Sequence, residues 1–294
     1  MLRMNRLPAE RRARVVWALV EGNSIRATCR LTGTAKGTVL SLLAEIGEAC
    51  HRLHDRTVRN IKARKIQCDE IWSFCHAKAR NVPARLEGKP GIGDLWTWVA
   101  LDADTKLAIS YLVGQRDTGE GTVFMRDLVS RLANRVQLTT DGFPGYLKAV
   151  EEAFGWNGVD YAMLVKLYGA GHEIDRGYSP PVCVGCEKHW VMGRPDQANV
   201  STSFVERQNL TMRMQMRRFT RLTNAFSKKA ENHAHAVALH FVHYNFCRPH
   251  QTLTKRARGI YRTPAMAAGL TDRVWTVADI VALLDTKSDQ KTAS

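Results

Sequence analysis

The hydrophobic period of this chain changes near residue 65, and no other feature of the sequence constrains its fold as strongly. Upstream, apolar residues recur at helical spacing. Downstream, they alternate in runs rich in aromatic and β-branched side chains. KIQCDEIWSFC (65–75), GDLWTWVALD (93–102) and KLAISYLVG (106–114) each read as a strand, with Asp102 to Thr105 forming the turn between the last two. A helix follows over 119–134, with Phe124, Leu128, Val129 and Leu132 on one face. Next come a strand VQLTTDG, a helix PGYLKAVEEAF and a strand VDYAMLVKLY. After a segment over 169–200 rich in Gly, Pro and short polar residues, which reads as a loop insertion, a helix begins near Phe204. This order is that of a mixed α/β domain.

The part before residue 65 is all-helical. Residues 9–21 place Val15, Ala18 and Leu19 on one face, and Gly22 and Asn23 stop that helix. Ser24 is placed to cap a second helix carrying Ile25 and Cys29, which Gly33 ends. Thr34 is placed to cap a third, 35–50, with Val39, Leu42, Leu43 and Ile46 as its buried stripe. Three helices with a tight glycine turn before the last read as a helix-turn-helix over 1–50. Its third helix would present Lys36, Thr38 and Ser41 to a DNA major groove. A generic three-helix packing module has the same periodicity. Residues 51–65 read as a basic linker helix.

Charge favours the DNA-binding reading. The 294 residues carry a formal charge of +15, concentrated at two places. Residues 1–65 hold 14 Lys and Arg against 5 Asp and Glu; residues 204–262 hold 12 against 2, and the remainder is mildly acidic. Concentrating cations in this way raises self-repulsion, which a polyanion relieves through counterion release. Nucleic acid is therefore the expected partner, ahead of two merely solvated basic faces. No apolar run reaches the length of a membrane span, and the basic start lacks the apolar core and cleavage site of a signal peptide, so an intracellular, cytoplasmic location is expected. Seven scattered cysteines, an odd number, are expected to be reduced.

Two acids occupy strand positions that solvation does not explain. Asp69 lies among Cys68, Ile71 and Trp72, and Asp141 ends the fourth strand before Gly142. A carboxylate in an apolar strand costs several kcal/mol unless it is paired or holds a metal. Glu70 is the alternative to Asp69, but adjacent strand residues point to opposite faces, so only one is expected to face a site. Glu206 is the third acid, near the start of a helix rich in arginine and placed to be capped by Ser203 or Thr202. It also reads as an ion-pair partner of Arg207 or Arg213, and Asp141 as a plain turn residue. Asp102 and Asp104 read as hairpin-turn residues only.

CDEIWSF around Asp69, TTDGFPGY around Asp141, STSFVERQN around Glu206, HYNFCRPHQTL and the downstream TPAMAAG resemble, in order and spacing, the DDE-type transposases of bacterial insertion sequences. The insertion sequence one family is the most similar group, and the resemblance runs from about residue 66 to 270. It implies an RNase H-like, integrase-like catalytic domain over 66–262, a mixed sheet flanked by helices, behind the N-terminal helix-turn-helix. Asp69, Asp141 and Glu206 would then be the metal-binding catalytic triad for two Mg²⁺ ions, with Mn²⁺ as a substitute, Asp69 bridging both. The substrates implied are double-stranded DNA, both transposon ends and target, handled by a homo-oligomer assembled on DNA. Some members begin with a cysteine-rich zinc finger, whereas no CxxC lies near this amino terminus. Two rivals stand beside this reading: a helix-turn-helix regulator with an inactive catalytic domain, and a nuclease acting on RNA–DNA hybrids.

Arg207, Arg213, Arg217, Arg218 and Arg221 follow Glu206 and are candidate DNA contacts, with Arg213 and Arg217 expected on one helical face. A solvated basic face is the alternative. Met212, Met214 and Met216 read as core or partner contacts. His233, His240 and His243 lack a ligand partner at metal spacing and read as packing residues. Tyr244, Asn245, Arg248, Pro249 and His250 are structural or DNA-contacting, with both roles open. Cys183, Cys186 and His189, with His172 upstream, offer three plausible zinc ligands where a structural site wants four. Residues 263–294 read as a helix bearing Val277, Ile280, Val281 and Leu284, then a frayed tail.

Overall fold

A computed structural model describes residues 7–169, 183–220 and 223–285. It begins with three helices, α1 (Ala9–Val20), α2 (Ile25–Thr32) and α3 (Lys36–Thr57). Ser24 caps α2 by accepting from the Ala27 N–H, and Gly33 ends it at φ 60°. Thr34 does not cap α3. It is buried, and its hydroxyl donates to the Thr32 carbonyl at 3.3 Å, so Ala35 takes the cap position with no side-chain bond. Nor does α3 stop at Cys50. Leu53 and His54 prolong the buried stripe of Ile46 and Cys50, and nothing in the sequence breaks the helix before Val58. The linker helix expected over 51–65 is thus the end of α3 followed by irregular chain.

The meander forms as the alternation predicts: β1 (Lys65–Cys75), β2 (Gly93–Asp102) and β3 (Ala108–Gly114). Asp102 closes its second turn by accepting from the Asp104 and Thr105 N–H groups at 3.0 and 3.3 Å. There follow α4 (Thr118–Arg131), β4 (Val136–Asp141), α5 (Gly145–Phe154), β5 (Val159–Tyr168), β6 (Cys183–Met192), α6 (Ser203–Gln215) and α7 (Ala230–Val242). The helix α7 runs into a π-helical turn over His243–Cys247, and α8 (Gln251–Arg256), α9 (Pro264–Ala267) and α10 (Val277–Ala282) complete the described chain. The sheet has six strands in the order β3-β2-β1-β4-β5-β6, antiparallel except for the β1–β4 and β4–β5 pairs.

One strand was not expected. Residues 183–192, inside the presumed loop insertion, form β6 along the outer edge of β5. The strand is mostly exposed on both sides, so it lacks the one-sided apolar alternation that marks a half-buried strand, and main-chain pairing alone defines it.

Helices cover both faces of the sheet. On one, Trp98 of β2 packs against Phe124 of α4 and Tyr146 of α5, with ring centroids 5.8 and 5.4 Å apart. On the other, Tyr111 of β3 stacks on Phe241 of α7 at 4.8 Å, beside α3. There α3 and α7 cross so closely that a Cβ at Gly47 would lie 2.4 Å from the His235 Cβ. The stripe of α3 and the buried residues of α1 belong to the same apolar core as the sheet, and Arg12 of α1 pairs with Asp285 just past α10 at 3.2 Å. Tyr244 and Asn245 are structural: the tyrosine hydroxyl donates to the Lys106 carbonyl at 2.9 Å, and the asparagine amide bonds both the N–H and the C=O of Ala108 at 3.0 Å. Among the described residues, no helix is long and apolar enough to cross a membrane.

Candidate active site

The ladder between β1 and β4 ends at the Gln67–Thr139 pair, although both strands continue. A cleft therefore opens at their carboxyl ends. The chain leaves β1 toward β2 on one side, while β4 lies on the other, so this is a switch point of the sheet, where open α/β sheets place their ligands. Asp69 lies just beyond the last ladder pair and Asp141 is the last residue of β4.

Three carboxylates meet in this cleft. Asp69, Glu70 and Asp141 each bring an oxygen within 4.8 Å of the others. The expectation that only one of Asp69 and Glu70 could face the site is thereby corrected. No neighbouring strand fills the gap beyond Thr139, so the two side chains, leaving β1 on opposite faces, both reach it.

Each acid is held by a separate contact. Asn209 of α6 donates to Asp69 Oδ2 at 2.9 Å. Arg116, just past β3, donates from Nε to Glu70 Oε2 at 3.0 Å and from Nη2 to Asp141 Oδ2 at 3.1 Å. Its guanidinium lies 4.2 Å from the Phe143 ring centroid and 5.0 Å from that of Trp96, which fixes its plane. The backbone N–H of Phe143 donates to Asp141 Oδ1 at 3.0 Å. The fully buried Tyr146 hydroxyl lies beside Glu70 and favours its charged form.

Crowding shows in the protonation equilibria. Burial first, and then the charge of Asp141, pushes Asp69 up to about 7 despite the hydrogen bond from Asn209. The same two causes push Glu70 up to about 7, against the hydrogen bond from Tyr146 and the charge of Arg116. Asp141 is raised by burial, with the Phe143 N–H, Arg116 and Lys166 opposing and Glu206 adding. All three acids thus favour the protonated form more than a free carboxyl does, with burial the first cause in each. Hard oxygen ligands at this spacing suit a small divalent cation.

Glu206 lies close enough to raise both Asp69 and Asp141, yet its carboxylate points elsewhere. Oε2 pairs with Lys166 of β5 at 2.6 Å, and Oε1 accepts from the Thr202 hydroxyl. It pairs with neither Arg207 nor Arg213. Neither expected cap holds α6 in place. Thr202 occupies the cap position but spends its hydroxyl on Glu206, while Gln67 of β1 reaches across and accepts from the Phe204 and Val205 N–H groups at 2.8 and 3.1 Å. A side chain two residues before Asp69 thus docks the start of the helix that carries Glu206.

The basic residues after Glu206 divide. Arg207 is exposed, and α6 ends at Gln215 because Met216 turns extended, so Arg213 and Arg217 do not share a helical face. Arg213 donates to the Phe219 carbonyl at 3.4 Å, whereas Arg217 is exposed. Arg218 is tied to the scaffold. It donates to Ser227 Oγ and the Asn232 carbonyl, both at 3.0 Å, and burial lowers its pKa to about 10. Arg221 and His172 lie outside the described residues. Lys36 and Ser41 are exposed on α3, and Thr38 is half-buried. His233 and His240 are buried, bonded to Ser227 Oγ at 3.0 Å and to the Gln208 amide at 3.3 Å. Among the described residues Cys183, Cys186 and His189 do not gather as a metal site; His189 pairs instead with Glu187 at 3.3 Å.

Sequence reading missed Arg116 and Lys166 as site residues, and it set Glu70 aside. Arg116 sits in a connection and Lys166 in a strand, and neither position carries a periodic signal that would point to a carboxylate. No family model matches the chain, and none of the curated proteins matches it. Among solved structures it is similar to the Mos1 mariner paired end complex with Mn, at 12% identity and a TM-score of 0.24 over 55% of this chain and 60% of that one. It is similar also to the Mos1 Strand Transfer Complex, at 12% and 0.24 over 81% and 78%, and to a pre-cleavage Mos1 transpososome, at 13% and 0.21 over 54% and 61%.

Proposed function

We propose that this chain is a DDE-type DNA transposase of the bacterial insertion-sequence kind, with an RNase H-like catalytic domain that cuts and joins DNA strands. The observation that carries the reading is the cluster of Asp69, Glu70 and Asp141 in the cleft between β1 and β4, with Glu206 close by on α6. The antiparallel meander followed by two parallel strands with helical crossovers supports the fold assignment. Helices α1 to α3 are assigned to duplex recognition as a helix-turn-helix, on the αL glycine before α3 and the exposed Lys36 and Ser41 at its start.

Asp69, Asp141 and Glu206 would hold divalent ions, Mg²⁺ or Mn²⁺, with Glu70 a fourth carboxylate within reach. Such ions supply Lewis acidity at a phosphorus centre. The chain's own residues do the remaining work. Asn209 fixes the rotamer of Asp69, Gln67 sets where α6 begins, and Arg116 and Lys166 keep the like-charged acids together until a cation arrives. Arg207 and Arg217 offer exposed guanidinium groups to a phosphate backbone.

A second reading, a DNA-binding regulator without catalysis, draws support from Arg116 and Lys166, which already compensate Glu70, Asp141 and Glu206. One experiment separates the two: strand transfer with purified protein, Mg²⁺ and a duplex carrying the element's own end. Joined products that vanish in Asp69→Ala, Asp141→Ala and Glu206→Ala, with duplex binding kept, establish the triad. A folded, metal-supplied wild type that binds but neither cuts nor joins favours the regulator.

A further inference from the structure

A cavity of about 1300 Å³ lies between the N-terminal helices and the far end of β1. Arg26, Arg30 and Lys36 contribute to one wall, and Lys78, Lys228 and Lys229 to the other. Among the described residues no acid lines it. Beside the lining residue Asn23, Gly22 packs so close to Gln215 that a Cβ there would lie 3.1 Å from the Gln215 carbonyl oxygen.

An aromatic track joins this groove to the carboxylates. Trp96, under the guanidinium of Arg116, stands directly opposite Trp72 in the β1–β2 ladder, so both rings are on one face of the sheet. Two residues along β1, Phe74 lies 5.8 Å from Trp72, and Phe226, in the groove wall, lies 5.1 Å from Phe74. Lys78 places its ammonium 5.7 Å from the Trp72 centroid. Trp96, Trp72 and Phe226 are all partly exposed. The intervening strand from Asp69 to Phe74 covers about 17 Å at ~3.4 Å per residue.

Cations along a groove with aromatic faces beside them are the two components of single-strand binding: phosphates follow the charge, and unpaired bases stack on the rings. A duplex has its bases stacked on each other and cannot use the rings. We infer that the groove and the Trp96–Trp72–Phe226 track bind single-stranded DNA, the strand separated from its complement next to the acidic cleft. The inference builds on the transposase reading, but its test needs no catalysis.

The test uses the full chain, fluorescein-labelled dT12 and a blunt duplex of the same length, with affinity read by anisotropy at one fixed salt concentration. Trp72→Ala and Phe226→Ala are each expected to weaken dT12 binding about fivefold or more, the effect of losing one stacked base. Duplex binding should stay within about twofold of wild type, as should dT12 binding by Trp72→Phe, which keeps an aromatic face. Trp156→Ala, at an exposed tryptophan outside the groove, should change neither. Thermal melts verify that each variant is folded. Wild type that does not bind dT12, alanine variants that bind it normally, or a Trp72→Phe loss equal to that of Trp72→Ala would each overturn the inference. End joining that depends on Asp69 beside any of these results would leave the transposase reading intact. Failed joining with ring-dependent dT12 binding would leave the groove and remove the catalysis.

Discussion

At the scale of single residues, the acidic cleft is a place where function works against stability. Asp69 and Glu70 hold protons in the folded chain up to about pH 7 and release them near pH 4 when unfolded. The stability linked to those protons is complete below about pH 4 and is lost as pH rises through about 7. In metal-free buffer Asp69→Asn is therefore expected to be more stable than wild type at pH 8, by on the order of 2 kcal/mol, with the difference vanishing toward pH 4. Thermal melts of both proteins across that range check it. Comparing two variants also cancels the opposite trend from Asp127 and Asp279, whose pKa values are lowered. Added Mg²⁺ should raise the melting temperature of wild type at pH 8 and leave Asp69→Asn unmoved. Arg116→Gln tests the other side of the balance. It leaves the Glu70 side chain, 1% exposed, without its cation, and should cost about 1–3 kcal/mol at pH 8 and less below pH 6, measured by urea unfolding. Asp69 and Asp141 stand out in the sequence because a carboxylate in an apolar strand needs a reason. Arg116 does not, since a cation in a connection normally needs none.

At the scale of elements, the sequence was most informative where side chains are buried. The bounds of β1 and β2 match the aromatic and β-branched runs, which are buried almost throughout because helices cover both faces of the sheet. The β6 strand escaped notice because both its sides meet solvent, and the length of α3 because its apolar stripe runs on past the expected end. The caps of α3 and α6 were misread because local spacing shows which side chain could cap a helix but not what that side chain does: Thr34 turns back to the Thr32 carbonyl, and Gln67, far away in sequence, docks the start of α6. The α3–α7 crossing gives a sharp prediction. Gly47→Ala places a methyl group against the His235 backbone and should destabilise the protein by about 1–3 kcal/mol, visible as a lowered urea midpoint, even though alanine is the better helix former.

At the scale of the whole molecule, α1 to α3 are part of the same packed body as the sheet. They share its core, and α10 closes over α1 from the opposite end of the chain. Period and charge located the N-terminal helices but could not say whether they stand apart, because an amphipathic stripe looks the same whatever it packs against. A truncation beginning at residue 65 exposes the face of α7 that α3 covers, and is expected to yield aggregated protein rather than a soluble fragment, checked by size-exclusion chromatography. The close passage of α3 over α7 at Gly47 also bears on where a strand would be cut. If α3 reads an end sequence and the cleft holds the scissile phosphate, the span between them is set by a packed helix and not by a tether. The molecule then acts as a caliper: the number of base pairs between recognised sequence and cut is a fixed property of its shape, and lengthening any surface loop leaves that number unchanged.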